Sequence, residues 1–164
     1  MDNRFDKEAR VAKARAYFKA GYNCCQAVAM AYSDVIAEKL GMQSLPAEQA
    51  EKAVATLASG FGGGMGRMRE VCGCVSGMTM VAGALCSAED PSDHNARTEN
   101  YRLVQEFAGA YKDLNGSIIC RELLGLDNKK ESPEPSLRTP EYYKKRPCEE
   151  LVGIAAGIIA DHVH

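Results

Sequence analysis

Asn23-Cys24-Cys25-Gln26-Ala27-Val28-Ala29-Met30-Ala31-Tyr32-Ser33-Asp34-Val35-Ile36-Ala37-Glu38-Lys39-Leu40, followed by Gly41, is the stretch on which the fold class turns. Asn23 is a good N-cap and Gly41 is placed to end a helix. Between them Cys24, Val28, Ala31 and Val35 recur at helical spacing, and Ala27, Tyr32 and Ile36 broaden the stripe. The alternation of a strand is missing, so the segment reads as one long amphipathic helix.

The same period continues on both sides. Upstream, Phe5 to Ala20 places Ala9, Ala12, Ala16, Tyr17 and Ala20 on one face before Gly21. Downstream, a helix follows Ser44 and Pro46, with Val54 and Leu57 as core positions, and stops at Gly60. A fourth spans Cys72 to Cys86 and carries Gly73, Gly77 and Gly83, a usage that requires a neighbouring backbone or ligand to come close. Asp93 to Leu114 has a stripe of Leu103, Val104, Phe107, Tyr111 and Leu114, ended by Gly116. A short helix after Ser117 holds Cys120 in its first turn, and a last helix from Cys148 to Val163 buries Leu151, Val152, Ala155, Ile158 and Ile159.

Two stretches break the pattern. Gly60 to Gly66 is too rich in glycine for regular structure, and reads as a lid or close-approach loop beside Cys72. Residues 126–147 carry Pro133, Pro135, Pro140 and Pro147 amid alternating charges. They read as an extended surface excursion, anchored by Tyr142 and Tyr143 on its own domain or across a second copy in a homodimer. The expected fold is all-α: one compact domain over residues 1–164, of about five to seven helices with a long Pro-rich excursion.

Composition narrows the function. The chain has 164 residues, 46% hydrophobic and 26% charged, with a net charge of −2, which is globular composition with no footprint for nucleic acid or an anionic membrane. It opens Met1-Asp2-Asn3-Arg4-Phe5-Asp6 without the apolar stretch of a secretory signal, and no window reaches the roughly 18 apolar residues of a spanning helix. A soluble cytoplasmic protein is expected. Its seven cysteines, odd in number and in a reducing compartment, favour metal ligation or thiol redox chemistry over structural disulfides.

Cys24, Cys72, Cys120 and Cys148 each fall at the start of a different predicted helix. Helix N-termini lower thiol pKa values, and four converging termini at roughly +0.5 each would match the ~−2 of a four-thiolate iron–sulfur core. Cysteine packing as a small hydrophobe is the plainer alternative. Other features carry less. The glycine run fits no phosphate-loop pattern. Met65, Met68, Met78 and Met80 are soft ligand candidates but read first as core filling, and Arg67 and Arg69 offer to steer an anionic partner toward the loop, with solvated charge the default reading. His162 and His164 read as helix-end cations, and His94 has no ligand spacing to the cysteines. No carboxylate is set apart by apolar surroundings, so no catalytic residue is assigned and the question of enzyme activity stays open.

Gly21-Tyr22-Asn23-Cys24-Cys25-Gln26-Ala27-Val28, Cys72-Gly73-Cys74-Val75-Ser76-Gly77 and the later Cys120 and Cys148 resemble the C_GCAxxG_C_C family of redox-active proteins. The resemblance implies a small bacterial redox protein, related to the iron–sulfur domain of split-Soret cytochromes, with Cys24, Cys72, Cys120 and Cys148 as cluster ligands. Cys74 stands where the family usually has Ala and Cys25 where it usually has Ala or Ser, so either could substitute as a ligand. No Cys-x-x-Cys-His haem motif is present, and no haem is expected. The leading reading is electron transfer with a redox partner protein, through an iron–sulfur cluster or other metal on the four cysteines. The alternatives are a cofactor-free thiol–disulfide protein, or a non-enzymatic helical domain with a zinc or empty site, zinc being a ready replacement for iron on aerobic handling.

Overall fold

Asp6 accepts the Ala9 N–H at 2.7 Å and opens α1 (Lys7–Lys19). The computed structural model describes residues 4–127 and 131–163; Asn128, Lys129 and Lys130 of the excursion, His164 and the first three residues lie outside the described residues. The buried face of α1 is Arg10, Ala14 and Phe18, whereas Ala9, Ala12, Ala16 and Ala20 are exposed. An alanine methyl is a weak guide to a buried face. The Phe18 ring decides it, together with an Arg10 that is satisfied inside: its guanidinium reaches Asp34 at 2.7 and 2.8 Å and lies 4.5 Å from the centre of the Tyr32 ring.

The long helix expected from Cys24 to Leu40 is two helices, α2 (Cys24–Met30) and α3 (Ser33–Lys39). Asn23 and Gln26 form a reciprocal capping box at its start. The break at Ala31–Tyr32 has a cause that periodicity does not reveal. Arg10 takes the Ala31 carbonyl, and the Tyr32 hydroxyl donates to the Ala156 carbonyl at 2.7 Å, so tertiary bonds replace helical ones. Cys25 and Ala27 through Tyr32 are all buried. α2 is therefore the central helix.

α4 (Ala47–Ala58) buries the narrow i, i+4 line Ala50, Val54 and Ala58 and leaves Leu57, expected in the core, 61% exposed. A 3₁₀ turn (Ser59–Phe61) leads into α5 (Gly62–Met65), a single distorted turn. α6 (Gly73–Leu85) packs closely on α2, which accounts for two of its glycines. A Cβ at Gly77 would lie 2.8 Å from the Val28 Cβ, and one at Gly73 would collide with the Cys24 sulfur. Gly83 faces open space, so the close-approach argument does not extend to it.

α7 (His94–Asn115) is capped by the Asp93 side chain and buries Phe107 and Tyr111, while Leu114 at its end is 67% exposed. α8 (Cys120–Leu123) is one turn. Within the Pro-rich segment Thr139 caps α9 (Pro140–Lys145), with Pro140 in the first turn, where its missing N–H costs nothing. α10 (Cys148–His162) buries Leu151, Val152, Ala155, Ile158 and Ile159 as expected and packs most extensively on α1. Among the described residues there is no strand, only one antiparallel bridge between Val71 and Ile119, and no helix is long and apolar enough to cross a membrane.

Candidate functional site

Cys24 is the first residue of α2, Cys72 the N-cap of α6, Cys120 the first residue of α8 and Cys148 the first of α10. All four line one cavity of about 370 Å³, and Cys74 lines it with them. Cys25 is buried in the core instead, its sulfur 3.9 Å from Met80 Sδ, and Cys86 caps the far end of α6. All seven thiols are free.

The glycine loop builds one wall. Gly63, Gly64, Met65, Gly66 and Arg67 are consecutive left-handed residues, with φ between 56° and 69°, and Arg69 follows at 59°. The turn is closed by Gly66 N–H to Gly60 O at 2.8 Å, Arg69 N–H to Gly63 O at 3.1 Å and Glu70 N–H to Gly64 O at 3.0 Å. Such a conformation costs about 1–2 kcal/mol at each non-glycine residue, so Met65, Arg67 and Arg69 are held in it by their surroundings. The loop is then clamped to the Cys120 segment: Cys72 N–H donates to Ile118 O at 2.8 Å and Cys120 N–H to Glu70 O at 2.6 Å. Gly64 sits at the tightest point, where a Cβ would come 2.7 Å from the Cys120 Cβ and 2.6 Å from the Glu70 nitrogen.

The thiols are not equivalent. Hydrogen bonds from the Cys72 and Cys74 thiols, assisted by the backbone N–H groups of Gly63 and Cys25, hold the Cys24 thiol well below its ordinary pKa against the cost of burial. Donating to Cys24 pushes Cys72 up, and Cys74 rises for the same reason. Burial pushes Cys148 up to about 12, and it raises Cys120 against the nearby Arg69 guanidinium. A helix start is thus not sufficient to acidify a thiol, and the expected lowering holds for Cys24 alone. Iodoacetamide at neutral pH should therefore modify Cys24 ahead of Cys120 and Cys148. Because its folded pKa is depressed, its rate should fall only when the pH drops through that depressed value, below the range where an ordinary cysteine stops reacting. Peptide mapping across a pH series checks the order.

Several residues around the thiols carry no sequence signal for the role. The Tyr111 hydroxyl stands 3.3 Å from Cys72 Sγ, and an Arg69 N–H points at Cys120 Sγ at 3.7 Å. Arg67 and Arg69 are not solvated. Both line the cavity and pair with Glu131. Pro133, Pro135, Ser136, Arg138, Tyr142 and Arg146 complete the wall opposite the loop. Arg138 fixes that segment. It donates to Tyr22 O at 3.1 Å and Phe18 O at 3.3 Å, with its guanidinium 4.3 Å from the Phe18 ring centre and 4.8 Å from that of Tyr142. Among the described residues no group of three His, Cys, Asp or Glu side chains is poised around a single metal ion. His162 is bound to its own helix at Ile158 O and lies edge-on to Phe107, away from the thiols.

The helical domain gathers five thiols from four helix starts, Cys72 and Cys74 sharing that of α6, into one arginine-flanked cavity, a site with the makings of thiol-centred redox chemistry. The chain belongs to the C_GCAxxG_C_C family: the family model "Putative redox-active protein (C_GCAxxG_C_C)" matches residues 22–162. No curated protein and no solved structure matches it.

Proposed function

We propose that this protein transfers electrons through an iron–sulfur cluster held by Cys24, Cys72, Cys120 and Cys148. The observation that carries the reading is the arrival of four cysteines, from four different helix starts, on the wall of one cavity. The donor set fits such a group. Four cysteine thiols on the wall of one space are the donor type that iron–sulfur clusters take. Helix N-termini and the Arg69 guanidinium offset the negative charge that four thiolates would bring. When bound, the cluster supplies one-electron chemistry. The chain supplies the rest: Tyr111 orients the Cys72 sulfur, Arg69 faces the Cys120 sulfur, and residues between Pro133 and Arg146 wall the cavity beside the thiols. Kinship with the iron–sulfur domain of split-Soret cytochromes, a redox partner protein and the reducing cytoplasm of a bacterium belong to the same proposal.

The test is an anaerobic preparation assayed for colour, iron and acid-labile sulfide. Iron and sulfide in stoichiometric amounts, lost when Cys72 or Cys148 is replaced by Ser and kept in Cys86→Ala, support the reading. A colourless chain that takes up neither on anaerobic reconstitution overturns it.

One observation favours a second reading. The neighbouring Cys72 and Cys74 thiols hold the Cys24 thiol below its ordinary pKa, and all three line one cavity, so an acidified thiol stands with candidate exchange partners. A metal-free chain whose Cys24 pairs reversibly with Cys72 or Cys74 under a glutathione buffer would establish it.

A further inference from the structure

The cavity has a second chemical character besides its thiols. Arg67, Arg69, Arg138 and Arg146 line it, and among the described residues no Asp or Glu side chain does. Glu131, which is not among the lining residues, bridges Arg69 and Arg67 with its carboxylate. Arg138 directs its N–H groups to the Phe18 and Tyr22 carbonyls, so its charge meets neutral acceptors. The Arg67 Nε is buried and has no hydrogen-bond partner among the described residues, an expensive state for a guanidinium donor. Both Arg67 and Arg69 stand on left-handed backbone, so their placement at the wall is maintained against local strain. At about 370 Å³ the space falls within the ~300–1,000 Å³ of small-molecule sites.

We infer that the arginine side of the cavity binds a small molecule through an oxyanion, a carboxylate or a phosphate. Glu131 shows the chemistry in miniature: the chain's own carboxylate already rests on two of the guanidiniums, and a ligand oxyanion competes with it while also satisfying the Arg67 Nε. None of its four cationic donors is a thiol, but Arg69 also faces the Cys120 sulfur and the two groups share one cavity, so binding is measured with the thiols free and with them loaded.

Calorimetric titration of the full chain with inorganic phosphate and, separately, with acetate tests this, on iron-free protein and on protein reconstituted anaerobically. Saturable binding of at least one anion is expected on the iron-free chain, weakened at least tenfold in Arg67→Gln and unchanged in Arg102→Gln, which removes an exposed arginine of α7. Glu131→Gln should tighten binding several-fold, a gain that damage to the fold would not produce. The anion that binds identifies the oxyanion class. Absence of saturable binding by both anions, or binding indifferent to Arg67→Gln and Glu131→Gln, overturns the inference. Iron and sulfide contents are measured separately, so failure of the cluster reading leaves this result standing on its own.

Discussion

Gly64→Ala should lower the stability of the folded protein by roughly 2–5 kcal/mol, the largest loss expected from any added methyl group in the glycine loop. Two independent costs add. Gly64 has φ near +69°, where an L side chain loses about 1–2 kcal/mol. The new Cβ would also stand 2.7 Å from the Cys120 Cβ and 2.6 Å from the Glu70 nitrogen, and overpacking of that kind costs about 1–3 kcal/mol more. The neighbours have little room to yield, because Glu70 is bonded on one side to Gly64 and on the other to Cys120. Gly125→Ala is the control. Its φ is +63° with nothing within 4 Å, so it should show the backbone part alone. Urea midpoints of the two variants separate the terms, and equal losses would mean that the contact at Cys120 is not a constraint.

Arg138→Ala should release the segment over the cavity while leaving the helical core folded. The side chain contributes two stacked rings, worth about 0.5–2 kcal/mol each, and charged hydrogen bonds to two carbonyls, about 1.5–3 kcal/mol. These contacts share one partly exposed guanidinium and do not add fully. A local opening penalty smaller by ~1.5–3 kcal/mol corresponds to roughly tenfold to hundredfold more time open. Trypsin should accordingly cut after Lys144 and Lys145 at least tenfold faster than in the parent, at unchanged helix content by circular dichroism. Arg138→Lys keeps the charge without the planar stack and should fall between the two. Identical cleavage in all three proteins would show that Arg138 does not hold the segment in place.

The cysteine pattern was legible because its signal is local. Asn23 before Cys24, Pro147 before Cys148 and the turn at Ser117 before Cys120 mark helix starts in the residues themselves. Burial on α10 was legible too, since Leu, Val and Ile recur there without interruption. What failed was inference from alanine and from leucine at helix edges: Ala9, Ala12 and Ala16 face solvent, as do Leu57 and Leu114. A methyl group, or a residue one step off a narrow contact line, does not reveal which side its neighbour occupies. The break in the long central helix and the role of Arg138 were hidden for a different reason. Each depends on a partner more than twenty residues away, Arg10 with Ala31 in one case and Arg138 with Phe18 in the other. Pro140 misled in a specific way, because a proline that ends a helix and one that begins it look alike until the Thr139 cap is seen.

The pairing of α1 with α10 bears on the order in which the molecule comes into being. α10 carries Cys148 on its first residue, covers the Phe18 side of α1 and receives the Tyr32 hydroxyl at Ala156. A nascent chain that has emerged only to residue 147 has three of the four helix-start cysteines but neither the fourth nor the surface against which α1 and α2 bury their apolar faces. Domains fold as units as synthesis proceeds, at about 5–20 residues per second, and contacts between distant parts of the sequence form late. The cavity therefore closes only after residues of α10 clear the ribosome. Any loading of all four thiols must follow the synthesis of α10, and until then Cys24, Cys72 and Cys120 are open to whatever oxidants or stray metal ions the growing chain meets.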